Sequence, residues 1–437
     1  MVKPGYKQTE VGEIPEDWDV KKLGDLGSVV RGGSPRPAGD PRFFDGNFIP
    51  WLTVASLTNV PKSQIEIVLT DTHLTEEGSK RSRTLEKGTL IISNSGATLG
   101  VAKILGMRCC ANDGIAAIIN QKSGNKRYIA QFINTKTKYL HDVVASGNGQ
   151  PNLNTSLIRE IFISFPDQEE QNRIADALSD VDALIASLER LIEKKRDIKT
   201  ATMQQLLTGK KRLPGFGDGK GTKQSELGEI PEDWDIRKYG DTFSFLSTAN
   251  NSRADLSEDG DVEYIHYGDI HTKLHFNLDL ERQTLPKIDR DKLRNPAFVA
   301  DGDIVMADAS EDYEGIGKSI EISNVGTRRV VSGLHTFLLR DTERRYANGF
   351  RGYLHSIPAI KRAYDTLATG LKVYGLSKNS LKSVSIPVPP FDEQVEIVKV
   401  ISCMDDELHV LEEKLNKAKA IKQGMMQELL TGRTRLV

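Results

Sequence analysis

Residues 168–207 read QEEQNRIADALSDVDALIASLERLIEKKRDIKTATMQQLL. Ile174, Leu178, Val181, Ile185, Leu188 and Ile192 fall at alternating steps of four and three, the a/d seam of a coiled coil. No Gly or Pro interrupts the stretch, and Gly209 stands after Leu206-Leu207-Thr208 as a C-terminal stop. At ~1.5 Å per residue such a helix reaches roughly 60 Å, too long for an ordinary core helix. A second stretch of the same design runs from Phe391 to Leu430 without insertion or deletion. Its seam is Ile397, Ile401, Met404, Leu408, Leu411, Leu415 and Ala418, and it closes on Leu429-Leu430-Thr431-Gly432. Two equal rods in one chain are expected to pack on each other.

Working outward from the rods, the rest of the chain also repeats. QTEVGEIPEDWDVKKLGD (8–25) returns as QSELGEIPEDWDIRKYGD (224–241), with 13 of 18 positions identical. The segments between motif and rod align only loosely. LEKGTLIISNSGATLGVAKI (85–104) lies opposite VADGDIVMADASEDYEGIGKSIEI (299–322), and SGNGQPNLNTSLIREIFI (146–163) opposite TGLKVYGLSKNSLKSVSI (369–386). Short β-branched runs bounded by Gly and Asp, such as Leu90-Ile91-Ile92 and Asp303-Ile304-Val305-Met306, predict strands. Residues 125–144 and 348–367 predict helices, the latter broken at Pro358. The Gly/Lys-rich stretch 209–224 reads as a link between the halves. The expected division is a motif and variable domain over 1–152, a first helix and link over 153–215, a second motif and domain over 216–375, and a second helix over 376–437. The scaffold pieces are nearly copied, while the domains between them have drifted apart on a shared frame.

Bulk properties bound the choice. At 437 residues, 38% hydrophobic and 27% charged, the chain has the composition of a soluble globular protein of several domains. No apolar run approaches a membrane span and the N-terminus is polar, so a cytoplasmic location without membrane association is expected. Three cysteines, Cys109, Cys110 and Cys403, lack metal or redox spacing. The net charge of −2 hides polarity. Residues 22–150 hold 16 Lys+Arg against 10 Asp+Glu, a net of +6, whereas 239–375 hold 17 against 21, a net of −4.

GEIPEDWD before a variable domain, then GNGQPNLN…PDQEEQNRI or GLSKNSLKSVSIPVPPFDEQVEI, then a helix ending in LLTG, resembles the DNA-specificity subunit of type I restriction–modification systems. The likeness covers essentially the whole chain, in both halves and in order. It implies a mixed α/β fold in which two target-recognition domains are joined by a long antiparallel two-helix coiled coil with pseudo-two-fold symmetry. It implies that each domain reads one half of a bipartite, asymmetric sequence in double-stranded DNA. Two methyltransferase subunits acting on adenine N6 would dock on this chain, and restriction/translocase subunits would complete the complex. This chain would hold no cofactor: S-adenosylmethionine would belong to the methyltransferase, ATP and Mg to the endonuclease. A methylation-only or type IIB-like system, and a duplicated scaffold that binds other proteins, are the alternative readings.

The motifs agree with a chain that lacks catalysis. Pro389-Pro390-Phe391 is like the core of an adenine methyltransferase motif, but Val388 replaces the Asn or Asp that would hold the amino group. Gly315-Ile316-Gly317-Lys318-Ser319 has Asp312 where a phosphate loop needs its first Gly. Base reading needs Arg, Lys, Asn, Gln and small hydroxyls aimed at base edges and phosphates. The candidates in the first domain are Arg31, Ser34 and Arg36 on a Gly-rich loop, Asn94, Ser95 and Thr98 after a strand, and Gln150, Asn152 and Asn154. Those in the second are Asn250, Asn251 and Arg253, His266 and Tyr267, Asp308 and Ser310, and Lys372 with Tyr374. Trp18 and Trp234, with Ile14 and Ile230, are assigned to scaffold and partner docking.

Overall fold

The computed structural model describes residues 2–96, 98–144 and 152–436. They form two compact units, Met1–Glu193 with Val410–Val437, and Lys194–His409. The rods are helices of 39 residues each, Gln168–Leu206 and Phe391–Leu429, and each unit contains part of both. In the first unit Lys422 pairs with Asp182 at 2.7 Å and Lys419 with Glu189 at 2.9 Å. In the second, Lys195 pairs with Glu407 at 2.7 Å and Lys199 with Asp405. Within each unit, later positions on one helix thus meet earlier positions on the other, so the segments run antiparallel. The seam accounts for the pairing: Ile174, Leu178, Ile185 and Ile192 are buried, as are Ile397, Ile401, Leu408, Leu411 and Ala418. Each large apolar side chain so removed from water contributes about 1.5–3 kcal/mol.

The two units repeat one sheet design. In the first, a five-stranded sheet runs in the order Ser28–Arg31, Ile115–Ile119, Leu90–Ser93, Ala102–Leu105, Glu66–Ile67. In the second the order is Ser244–Leu246, Thr336–Arg340, Ile304–Ala307, Ser319–Ser323, Phe276–Asp279. Neighbours are antiparallel except the last pair of each sheet, which is parallel. Leu90–Ser93, Ala102–Leu105 and Ile304–Ala307 are buried at every position. Covering both faces is why Leu90–Ile92 and Ile304–Ala307 are continuous apolar runs rather than alternating ones, while Lys103 is accommodated by donating its ammonium to the Pro61 and Gln64 carbonyls. Smaller sheets stand beside them: Thr72–Leu74, Ile49–Leu52, Cys109–Ala111 and Arg83–Leu85 in the first unit, and Lys287–Ile288, Val262–Ile265 and Val330–Ser332 in the second.

The helix expected over 125–144 is shorter. Asn125 caps it by accepting from the Arg127 and Tyr128 amides, and it ends at Thr135. Thr135 and Thr137 donate their hydroxyls back to the Phe132 and Asn134 carbonyls, a local bond that competes with the helical ladder. A short turn at Thr137–Tyr139 and a π-turn at Leu140–Val144 follow. Pro358 breaks its region into two pieces, Arg351–Ser356 and Pro358–Leu367, where it takes the first helical turn. Among the described residues no helix is long and apolar enough to cross a membrane.

The motif tryptophans require a correction. Trp18 is 1% exposed and Trp234 fully buried, and Ile14 and Ile230 are buried with them, so none of the four offers a face to a partner. They are internal fasteners instead. In the first unit Trp18 donates its indole N–H to Glu170 at 2.9 Å, and Arg435 pairs with Glu170 at 2.7 Å and with Asp17 at 2.8 Å. In the second, Trp234 donates to Glu393 at 2.9 Å, while Arg212 pairs with Glu393 and with Asp233, the latter at 2.9 Å. Glycine closes both: a Cβ on Gly432 would lie 2.5 Å from Pro15, and one on Gly209 would lie 2.4 Å from Pro231. Each motif therefore binds the start of the helix that follows it and the end of the other helix. Arg212 belongs to the stretch read as a link; its ion pairs fix that stretch within the second unit.

Candidate nucleic-acid interface

In the first unit, residues far apart in sequence converge on one residue, Asp113. Arg31, at the end of its strand, donates Nε to the Asp113 carbonyl at 2.6 Å, and the Asn94 amide donates to the same oxygen at 3.2 Å. Ser34 donates to Asp113 Oδ1 at 2.7 Å, and Arg36 lies 3.6 Å from Oδ2. Gly32 makes the approach possible, because a Cβ there would fall 2.0 Å from the Asn112 carbonyl. Arg83 joins by donating Nε to the Arg31 carbonyl at 2.6 Å. Arg31, Arg36 and Arg83 are exposed, and their fork-like donors suit phosphate and base edges. Ser95 bridges to Asn152 in antiparallel fashion, and the Leu153 amide donates to the Asn94 carbonyl at 2.8 Å. The three loops singled out in the sequence thus meet at one place.

Individual members differ in role. Asn94 is buried and its Oδ1 is unpartnered; Thr98 is half-buried, with its hydroxyl shielded and likewise unpartnered. Asn152 is exposed. Asn154 is a correction: its side chain accepts from the Leu157 amide at 2.9 Å and caps Thr155–Arg159. Gln150 lies outside the described residues.

The second unit uses different chemistry on the same frame. Tyr267 is half-buried among three histidines, with ring centroids 4.7 Å from His266, 5.9 Å from His271 and 5.5 Å from His335. His266, counted among the base readers, is buried. Its Nδ1 accepts the Gly268 amide at 3.0 Å and caps the helix Tyr267–Thr272. Burial, and then the nearby Arg253 guanidinium, push its pKa below the usual imidazole range, so the ring is a neutral cap. Arg253 pairs with Asp269 at 3.0 Å. Asn251 is held by the Lys292 carbonyl at 3.2 Å, leaving Asn250 as the exposed member of its pair.

Asp308 lies 3.4 Å from His335 Nδ1, and burial raises its pKa. Ser310 is a second correction: it is buried and spends its hydroxyl on Asp312 in a tight turn. Ala309–Ser310 pairs with Tyr374–Gly375, and the Tyr374 ring centroid lies 4.0 Å from that of Tyr313. Lys372 is exposed beside them. His271 ties the two groups together through a 2.9 Å contact of its Nε2 with the Ala309 carbonyl.

Sequence reasoning overlooked Asp113, Arg83, His271, His335 and Tyr313. Asp113 sits in a turn as a lone acid, the commonest setting for that residue. His271 follows Tyr267 by four residues on one helix and is open to a helical reading, whereas His335 and Tyr313 come from turns whose adjacency no local pattern reveals.

Comparison with known proteins gives one family. The model described as type I restriction modification DNA specificity domain matches residues 15–195 and 231–420. A putative type I restriction enzyme MjaX specificity subunit of Methanocaldococcus jannaschii is 25% identical over 99% of this chain and 97% of its own length. The fold resembles that of the type I restriction-modification S subunit from M. genitalium, with a TM-score of 0.54 at 14% identity over 98% of each chain. A chain from a structure of the type I R-M system, described for its complex assembly and conformational transition, gives a TM-score of 0.57 at 14% identity, covering 96% of this chain and 99% of that one.

Proposed function

The chain belongs to the type I restriction–modification DNA specificity family, and on that premise we propose that each of its units reads one half of an asymmetric, bipartite DNA target. The observation that carries this reading is the contrast between copied frame and divergent surface. Both units share sheet order and the Trp–Glu–Arg fastener. One displays arginines around Asp113, while the other displays Tyr267 among histidines. Arginine presents paired donors that suit guanine O6 and N7, whereas the acidic, aromatic surface of the second unit suits cytosine N4 and apolar base edges.

The two long helices set the gap between half-sites as an antiparallel coiled coil. The buried seam and the opposed ion pairs inside each unit support that role. Two adenine-N6 methyltransferase subunits dock on the outer faces of the helices, in place of the buried tryptophans. Leu184, Leu191 and Ile198 recur every seven residues on the first helix and are exposed, and Val410 and Ile421 are exposed on the second. Methyl transfer and ATP-driven cleavage lie with the partner subunits, and the family's specificity subunit has no catalysis of its own.

The test is co-expression with the methyltransferase partner followed by sequencing of methylated adenines across the genome. A split motif with a fixed gap and unlike halves is expected. A folded complex that adds no methylation sinks the reading.

A further inference from the structure

The second unit ends its candidate interface in an apolar tip. Leu371 is 97% exposed and Val373 55%, with exposed Lys372 between them. This is no frayed loop: Thr369 and Gly375 exchange backbone hydrogen bonds of 3.0 and 2.7 Å across its base. Gly370 makes the turn with φ +137°, where a Cβ would fall 1.9 Å from the Val373 carbonyl. Tyr374 anchors the tip by pairing with Ser310 and stacking near Tyr313, and the Leu376 amide donates to the Asp308 carbonyl at 2.8 Å. Leu371 and Val373 expose apolar surface on one turn, and Tyr313, itself exposed, lies against Tyr374 at its base; clustered rather than scattered apolar groups mark a contact surface.

Charge around the tip narrows the occupant. Lys372 and, farther along, Lys378 and Lys382 favour an anionic polymer, with both of the latter ammonium groups over the Phe245 ring. Glu311, Asp312 and Glu314 are exposed beside Tyr313 and would repel a close phosphate. Within a domain of net charge −4 these lysines are local cations, and a surface that rejects phosphates at contact is suited to base edges. Duplex DNA offers an isolated side chain one apolar feature without unstacking, the thymine 5-methyl group in the major groove. Wedging between bases requires unstacking, which wide wrapping contacts elsewhere must offset.

We propose that Leu371 is a specificity-determining residue of the second unit, which seats its side chain against a thymine 5-methyl group in that unit's half-site. This rests on the DNA-reading function above. In the sequence of the first half Asn148 aligns with Leu371, so the two halves differ in polarity at that position.

The experiment uses the full chain in complex with its methyltransferase partner. The methylation motif of the wild type defines the half-sites, and each thymine is then replaced singly by uracil, which removes only the methyl. Wild type is expected to lose about fourfold in affinity at one thymine of one half-site, the worth of a buried methyl. Leu371→Ala is expected to bind the natural site at least that much more weakly and to be indifferent to uracil at that position. Leu69→Gln, at an exposed apolar position in the first unit, should leave both results unchanged. The proposal is overturned by wild type that ignores every uracil, by Leu371→Ala that keeps its sensitivity, or by a half-site without thymine. Enhanced 2-aminopurine fluorescence with no uracil effect would reassign the tip as a wedge. Loss of the methyltransferase from the Leu371→Ala complex would reassign it to protein docking. Wild type that yields no split motif fails at the parent function, an outcome separate from all of these.

Discussion

Trp18 and Glu170 are 152 residues apart and share a hydrogen bond of 2.9 Å between the indole N–H and a fully buried carboxylate. The carboxylate also receives Arg435, from the far end of the chain. Trp234, Glu393 and Arg212 reproduce this arrangement in the second unit. Removing the carboxylate leaves the buried indole N–H without an acceptor, while the guanidinium keeps Asp17 in the first unit and Asp233 in the second, a defect worth about 1–3 kcal/mol. Glu170→Ala should therefore destabilise the first unit and Glu393→Ala the second, each by roughly that amount. Hydrogen exchange read by mass spectrometry can localise the loss. Equal loosening of both units by either substitution would contradict a separate fastener in each.

His355 gives the second unit a pH dependence. Its Nδ1 lies 2.9 Å from the Ser319 hydroxyl and its ring stacks 5.3 Å from Phe276. Loss of hydration holds its pKa down at about 4, against an ordinary 6.5. A histidine kept neutral by folding is protonated first in the unfolded chain. Stability is therefore full above pH ~6.5, falls as pH drops toward 4, and levels off below. The span is at most about 3 kcal/mol, from 1.36 kcal/mol per pKa unit. Thermal melts of wild type and His355→Gln between pH 7 and 4 should differ in slope by as much as one proton. Parallel curves would show that His355 is not the group responsible.

Asp113 restrains the cations around it. Asp113→Ala removes the acceptor of Ser34 and the counter-charge of Arg36, and it raises the local positive charge by one. Binding to unrelated DNA should strengthen at low salt, because Arg36 loses its counter-charge and reaches phosphates more freely. Discrimination at the first half-site should fall, because Ser34 and Arg36 are no longer oriented. Titrations of specific and random duplexes over a salt series test both parts. Unchanged discrimination would reduce Asp113 to a turn former.

The scaffold is more legible in the sequence than the surface. Seam positions such as Ile174 and Ile401 announce burial through their spacing, and GEIPEDWD and LLTG announce matched attachment points. Spacing is silent on which end attaches where, so the crossing of Arg435 to the Trp18 side emerges only in three dimensions. At the surface, residue type misleads for a physical reason. Asn, Ser and His are chosen for base reading because they donate and accept, and the same property makes Asn154, Ser310 and His266 good caps and turn closers. Trp18 and Trp234 look like docking residues because conspicuous aromatics in a copied motif can serve either role. Their burial decides for the inside.

The helices carry the last prediction. Residues Lys194–Thr202 lie within the first long helix, where Lys195 and Lys199 meet Glu407 and Asp405. Four inserted residues add about 6 Å and close to one full turn, so seam and ion pairs can re-form with nearly the same facing. A DNA turn of ~34–36 Å holds about 10 base pairs, so 6 Å corresponds to one or two of them. The insertion should lengthen the unread gap of the methylated motif by that number and leave both half-sites unchanged, because the loops around Asp113 and Tyr267 are untouched. Genomic methylation mapping of the insertion variant reads gap and bases together. A shift in base preference at constant gap would refute the spacing role and move specificity from the loops to the helices.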